Sequence, residues 1–383
     1  MSYLLSGILV SVGIIKKNSK SVAMFLLTLM WVLYGWNTGN ADYMNYNVSY
    51  YQSAVCAINY SQEVGFQLLC KLFYNFNLEY NQFLIIISII GLALITSTIK
   101  KYTKNIAFVL AMYFMFPFML DVVQVRNFMA MAIIVFALRF LIEKKKWGKA
   151  KYIILVVIAS TFHYTAFFYL LFLLTEVRNV KKMTHYSIII ATVGALISYT
   201  GIIPPLVAEI TSSAKVYMWF TNRMGLGMFI ILLVHASTLF LVHYAYEKIK
   251  NLSVKYSCEN GVNCAKKDLS KSFVEPKFVT PKSFDINMNF VNFAYKMNIV
   301  CLLMFPLYTF NMEFFRLYRN MFVINYILFS FFLVNVKYDK KEKSLYGFFV
   351  VVYVIVMAAY FFIIPNYDNV FSAVLHNNSL IGK

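Results

Sequence analysis

Ten apolar stretches recur along the chain and constrain what it can fold into: residues 3–15, 21–36, 83–99, 106–120, 127–142, 187–203, 226–246, 290–311, 318–336 and 345–365. A helix that crosses a bilayer takes roughly 20 residues, fewer where polar flanks reach the interface. With 61% of 383 residues hydrophobic and 13% charged, a surface that faces water cannot be assembled. The expected fold class is all-α, a polytopic transmembrane helix bundle of about ten spans. One further apolar run, 152–174, is interrupted at its middle by Thr161, His163 and Thr165. It reads either as a single span or as two half-helices of a re-entrant hairpin.

Charge placement favours the hairpin, because Lys and Arg accumulate in short cytoplasmic loops. With the amino terminus outside and a hairpin at 152–174, all the basic clusters fall on one face. They are Lys16/Lys17/Lys20, Lys100/Lys101/Lys104, Lys144 to Lys151, Arg178/Lys181/Lys182, the 247–289 loop and Lys337 to Lys343. The net charge of +19 is then cytoplasmic, an orientation signal and a contact with anionic lipid headgroups rather than a nucleic-acid surface. The first apolar stretch has its lysines after it and lacks a small-residue cleavage site, so it is expected to remain as a helix. Five cysteines at unrelated spacings form neither a metal nor a disulfide framework.

Three parts follow: an amino-terminal bundle 1–246 with external loops 37–82 and 204–225, a basic cytoplasmic loop 247–289, and carboxy-terminal helices 290–383. The loop 37–82 carries seven tyrosines with Asp42, Glu63 and Glu79. Aromatic faces beside carboxylates suit a carbohydrate, while an interfacial aromatic belt accounts for many of the same tyrosines. The segment from Pro204 places Glu209, Lys215, Tyr217, Trp219 and Arg223 on an amphipathic interfacial helix. The turn near 311–318 adds Glu313, Arg316, Tyr318 and Arg319.

Arg126 and His163 each stand alone within apolar sequence, and an ionisable group at membrane depth usually lines a polar cavity. With Arg223, Arg316 and Arg319, Arg126 puts four arginines on the external face, where planar forks suit a phosphate group. The bland alternatives are neutralisation of Asp121 and Glu313 by Arg126 and Arg319, and a histidine satisfied by a neighbouring helix. His185, His235, His243 and His376 read as lying at helix ends or tails and receive no role. On a helix Asp42 and Tyr46 share a face. The chain has no Walker A loop, no Asp-x-Asp pair, no His-Glu-x-x-His and no Gly-x-Ser-x-Gly, so an enzyme of this kind uses a donor already activated within the membrane. A lipid diphosphate sugar meets that requirement, with no metal and no soluble cofactor.

The order Asp42-x3-Tyr46, Glu63-Val64-Gly65-Phe66-Gln67-Leu68-Leu69, Val125-Arg126-Asn127 and Phe162-His163-Tyr164-Thr165-Ala166 resembles the EpsG family of Wzy-type polysaccharide polymerases over residues 30–175. Three departures accompany it. Trp36-Asn37-Thr38 stands where the family has an arginine, Asn127 replaces a glutamine, and Thr165 replaces a serine. The missing arginine is the one that bears on the acceptor sugar.

The resemblance implies a GT-C-like architecture in a bacterial plasma membrane and a glycosyltransferase working at its outer face. A glycan leaves undecaprenyl diphosphate and joins the non-reducing end of a lipid-linked repeat unit, building a capsule, exopolysaccharide or O-antigen. On that reading Arg126 holds the diphosphate, helped by Arg223, Arg316 or Arg319. His163 is base or hydrogen-bond donor, and Asp42 with Tyr46, Glu63 and Tyr217 holds sugar. A flippase or chain-length regulator is the expected protein partner, and nucleic acid is not. The rival readings are a lipid-linked oligosaccharide flippase, a membrane-bound acyltransferase and a structural subunit of an envelope assembly.

Overall fold

The computed structural model describes residues 2–210, 214–221, 225, 227–259, 287–335 and 340–381. Among these the chain is helical, with an isolated β-bridge between Asn37 and Asn378. Six helices among the described residues are long and apolar enough to cross a membrane: Tyr80–Tyr102, Ile106–Val123, Val125–Glu143, Gly227–Ser253, Met288–Tyr308 and Lys340–Ile363. Shorter apolar helices lie at Tyr3–Ile15, Lys20–Gly35, Tyr164–Glu176 and Phe322–Leu333. This pattern is that of a membrane protein.

Two compact units divide the chain. The first holds residues 1–169, 322–334 and 338–383; the second holds 170–321 and 335–337. Packing thus returns the last two apolar helices to the amino-terminal bundle, a different partition from the one the 247–289 connector marks along the sequence.

In the first unit the elements are α1 (Ser2–Ile15), α2 (Lys20–Gly35), α3 (Tyr43–Val55), α4 (Val64–Asn75) and α5 (Tyr80–Tyr102). They continue with α6 (Ile106–Val123), α7 (Val125–Glu143) and α8 (Gly148–Phe162). Helix α2 starts where Ser19 accepts from the Val22 amide, and α5 starts at a capping box of Glu79 and Gln82. α5 packs against both α2 and α7, and α7 packs against α8. The loop 37–82, expected to fold over the membrane, is largely the helical pair α3 and α4.

α6 is broken at Phe116 and Pro117, where the backbone leaves helical angles. A proline removes a helical donor, and where the backbone leaves helical angles its carbonyls need partners of another kind in an apolar interior. Tyr326 donates its hydroxyl to the Phe116 carbonyl at 2.9 Å and meets that need.

The run 152–174 is also broken, and the break falls at His163 (φ −153°, ψ 113°). Tyr152 donates to the carbonyl of Tyr169 at 2.6 Å. Continuous helix would part these residues by about 25 Å, so the chain folds back at His163 as a hairpin does. The returning arm is a 3-10 helix, Tyr164–Glu176, buried at Ala166, Tyr169, Phe172 and Thr175. Burial at every third residue is the period of a 3-10 helix, whose side chains at i and i+3 eclipse.

Lysines gather at one end of this unit, at the end of α1, the start of α2, the end of α5 and the α7–α8 turn, where Lys101 and Lys145 both pair with Glu143. At the opposite end the carboxy-terminal segment straps over the exit from α2. Asn37, fully buried, donates to the carbonyls of Ala373 and Asn377, and Asn81 donates to the carbonyl of Asn37 at 2.9 Å. Asn377 donates back to the Gly39 carbonyl at 2.9 Å.

The second unit contains α9 (Val180–Tyr199), α10 (Gly227–Glu259) and α11 (Met288–Tyr308). Thr309 bonds Ser198 at 2.6 Å, so α9 and α11 end together. The expected amphipathic helix beyond Pro204 is two short helices, Ile203–Ile210 and Ala214–Thr221. Returning to the first unit, Phe322–Asn335 forms α12 and Lys340–Ile363 forms α13.

Candidate functional site

Glu63 is the hub of the site in the first unit. It stands at the N-cap position of α4 without capping it through its side chain, and its two carboxylate oxygens face other partners. Oε2 accepts from Arg126 Nη1 at 3.0 Å, while Oε1 lies 3.3 Å from Nδ1 of His163. Arg126 stands in the first turn of α7, just past the break at Gln124, and His163 occupies the tip of the hairpin. Residues 63 and 100 positions apart therefore meet at one carboxylate.

The remaining contacts hold the guanidinium in one place. Nη2 of Arg126 donates to Ser49 Oγ at 2.7 Å. Its carbon lies 4.4 Å from the centre of the Phe66 ring and 5.5 Å from that of Tyr46, within the range of a cation–π attraction. Ser49 and Tyr46 share a face of α3, and Asp42 lies one turn earlier on that face, accepting from Asn45 at 3.4 Å. Electrostatics agree with the geometry. Burial pushes the Glu63 carboxyl up, but the His163 hydrogen bond and the Arg126 charge outweigh it and hold the group below the usual carboxylate range.

The sequence order Glu63-Val64-Gly65-Phe66-Gln67 has a reason at each polar or small position. A Cβ on Gly65 would stand 2.1 Å from Thr161 Oγ1 and 2.8 Å from Thr161 Cβ, so α4 reaches the end of α8 only with glycine there. Phe66 supplies the ring beneath Arg126. Gln67 accepts from the Asn59 amide and donates to the Asn59 carbonyl, both at 2.8 Å, which fastens the preceding loop. Thr161 donates to the Ile158 carbonyl, and Thr165 is buried beside the tip.

Four of the residues named from the sequence, Arg126, Glu63, His163 and Tyr46, thus come together, with Asp42 one turn away on the same helix face. The bland alternative pairings of Arg126 and Arg319 do not form. Arg126 pairs with Glu63 rather than Asp121, whose carboxylate accepts from Tyr113 at 2.8 Å. Glu313 pairs with Arg316 rather than Arg319, because Arg316 is three residues along the same turn.

The other named residues belong to the second unit. Arg316 also donates from Nε to the Glu313 carbonyl at 2.9 Å, Arg319 is buried, and Tyr217 is exposed. Arg223 lies outside the described residues. His235, expected at a helix end, lies inside α10, buried, stacked on Tyr318 at 3.8 Å between ring centres and 3.1 Å from the Tyr308 hydroxyl. Its helix continues well past it, which the apolar run around it conceals. His243 is likewise inside α10 and meets the Tyr295 hydroxyl at 3.1 Å.

Ser49 is unmarked in the sequence, and Phe66, although part of the motif that carries the resemblance, receives no role there. Helical spacing from Tyr46 to Ser49 would have found the first, once 43–55 was read as a helix rather than a loop. No group of three or more His, Cys, Asp or Glu that could hold a metal occurs among the described residues.

No curated protein and no solved structure matches this sequence. The sequence model of the EpsG family matches residues 20–372, from the start of α2 through Glu63, Arg126 and His163 to the carboxy-terminal strap. The chain belongs to the EpsG family, a family of membrane proteins of the polysaccharide-polymerase type.

Proposed function

We propose that this protein is a glycosyltransferase that polymerises a bacterial surface polysaccharide. It moves a glycan from undecaprenyl diphosphate to the non-reducing end of a lipid-linked repeat unit, at the outer face of the plasma membrane. The observation that carries the reading is the shared carboxylate: Glu63 binds a guanidinium on one oxygen and an imidazole on the other. A cation for a leaving diphosphate and a base for an acceptor hydroxyl are the two groups such a transfer needs.

The roles follow from the contacts. Glu63 at Nδ1 favours the tautomer of His163 whose Nε2 accepts a proton, as a carboxylate orients the imidazole in a catalytic triad. The acceptor hydroxyl gives its proton to Nε2, its oxygen bonds to the anomeric carbon of the donor, and the bond from that carbon to the diphosphate oxygen breaks. The departing electron pair stays on the diphosphate, whose charge Arg126 stabilises. Tyr46 and Asp42, on one face of α3, present a ring and a carboxylate to the acceptor sugar. One or more of Arg223, Arg316 and Arg319 would assist Arg126 with the diphosphate, and Tyr217 would contact the substrate sugar.

Sidedness rests on the lysines. They collect at the end of the first unit opposite Glu63, and basic loops stay in the cytoplasm. The test is the size of the surface polysaccharide in a deletion strain complemented with wild type, Arg126→Ala or His163→Ala, each with its membrane expression measured. Accumulated single lipid-linked repeats in the deletion, and expressed variants that restore no polymer, support the reading. Polymer that persists in the deletion overturns the function, and full restoration by both variants overturns the site.

A further inference from the structure

The lysine-rich end of the first unit holds a groove that the proposed transfer does not use. It has a volume of about 550 Å³ and lies where the end of α1 meets the start of α13. Lys17, Lys340 and Lys343 line it together with the apolar side chains of Ile14, Phe348 and Val351. The turn carrying Lys17 is fixed, since the Phe108 amide donates to the Lys17 carbonyl at 3.2 Å.

We propose that this groove binds an anionic phospholipid, with the phosphate held by Lys17, Lys340 and Lys343 and an acyl chain lying along Ile14, Phe348 and Val351.

Charge complementarity is the argument. Among the described residues no carboxylate lines the groove; Glu342, on the same turn of α13 as Lys343, is not among its lining residues. Elsewhere at this end two lysines share an acid, Lys101 and Lys145 on Glu143. Here Lys17 and Lys343 are both half-buried, and burial together with the Lys343 charge pushes the Lys17 ammonium below its ordinary range. Like charges drawn together and partly desolvated are stabilised by an anion between them. The form of the groove identifies the anion. A soluble acid would face three ammoniums but leave the apolar walls uncovered, whereas a lipid satisfies both halves. Both wall helices are apolar segments of a membrane protein, so the groove opens where lipid is the neighbouring molecule. Basic pockets between helices on the cytoplasmic side are where anionic headgroups bind.

Full-length protein in nanodiscs of phosphatidylcholine and phosphatidylglycerol tests this by native mass spectrometry of the lipid retained on release. Wild type is expected to keep phosphatidylglycerol in preference to phosphatidylcholine. Each lysine near a surface contributes about a five-fold factor, so Lys17→Gln with Lys343→Gln lowers retention about 30-fold. Val351→Trp, which fills the apolar half and leaves every lysine, lowers it as well. A control pair at the exposed turn, Lys144→Gln with Lys146→Gln, keeps it. Monodisperse elution is required of each variant, and a variant that aggregates is replaced by Lys340→Gln, read in the same way. Equal retention by wild type and the Lys17/Lys343 variant overturns the proposal. So does an equal loss in the control pair, or displacement of the lipid by glycerol phosphate at matching concentration.

Discussion

Two arginine clusters, one in each compact unit, are built in opposite ways. Arg126 is held by partners from two elements distant in sequence, Ser49 on α3 and Glu63 with the Phe66 ring on α4, and His163 at the hairpin tip lies on the far side of Glu63. Arg316 is held by Glu313, three residues away on the same turn. The Glu63 side chain is 15% exposed and that of Glu313 is 53% exposed. A pair between neighbours on one turn forms wherever the turn forms, whereas the pair at Glu63 exists only when the helices have packed. The first cluster is therefore assembled by tertiary packing, while the Glu313–Arg316 pair is local to its turn.

The largest test of that contrast is catalytic. His163→Ala is expected to lower polymer formation from lipid-linked repeats by about 10²-fold to 10⁴-fold, the usual worth of a positioned base, while Arg316→Ala leaves a measurable rate. Comparable losses from both would erase the distinction between the clusters.

Next in size is packing. Gly65→Val places branched carbons where Thr161 already stands, and overpacking of this kind costs about 1–3 kcal/mol. The expected readout is a lower melting temperature in detergent, with loss of the α4–α8 approach and of activity. A paired Thr161→Gly change that recovers part of both would show that the contact itself is responsible.

Acidity sharpens the comparison further. Because the Glu63 carboxyl is held below its ordinary value of 4.5, its contribution is fully present above that value and lost as pH falls through the folded one. Thermal stability of wild type should fall on the acid side more steeply than that of Glu63→Gln. Parallel acid limbs in the two proteins would mean that other carboxylates set the profile.

The smallest effects belong to the second unit. Glu313→Gln should change stability by no more than about 1 kcal/mol, as for exposed pairs in general. His235→Phe keeps the stack on Tyr318 and loses the Tyr308 contact, for an expected cost of about 1 kcal/mol and a polymerisation rate near wild type. A collapse of activity with the fold intact would move the chemistry toward α10.

Much of the first unit is readable along the chain, and the reason is local. Apolar stretches must become helices in lipid, since each backbone polar group has to be satisfied within its own segment. The interruption at Thr161, His163 and Thr165 is visible for the same reason, as polar residues in an apolar run. Arg126, Glu63 and Tyr46 stand out by charge or by spacing. Ser49 and Phe66 do not, because a serine in a polar helix and a phenylalanine in an apolar one carry no mark until Arg126 arrives beside them. His235 is hidden in the opposite sense, buried by tyrosines that come from two other helices.

Composition and periodicity alone determined that the chain is helical and lies in a membrane, and which of its ionisable residues are out of place there. Tertiary structure alone decided that Glu63 takes Arg126 instead of Asp121, that Gly65 must be glycine, and that the last two apolar helices pack with the first unit. Hydrophobicity acts on each segment by itself, whereas an ion pair is chosen by which side chains packing brings within about 3 Å of each other.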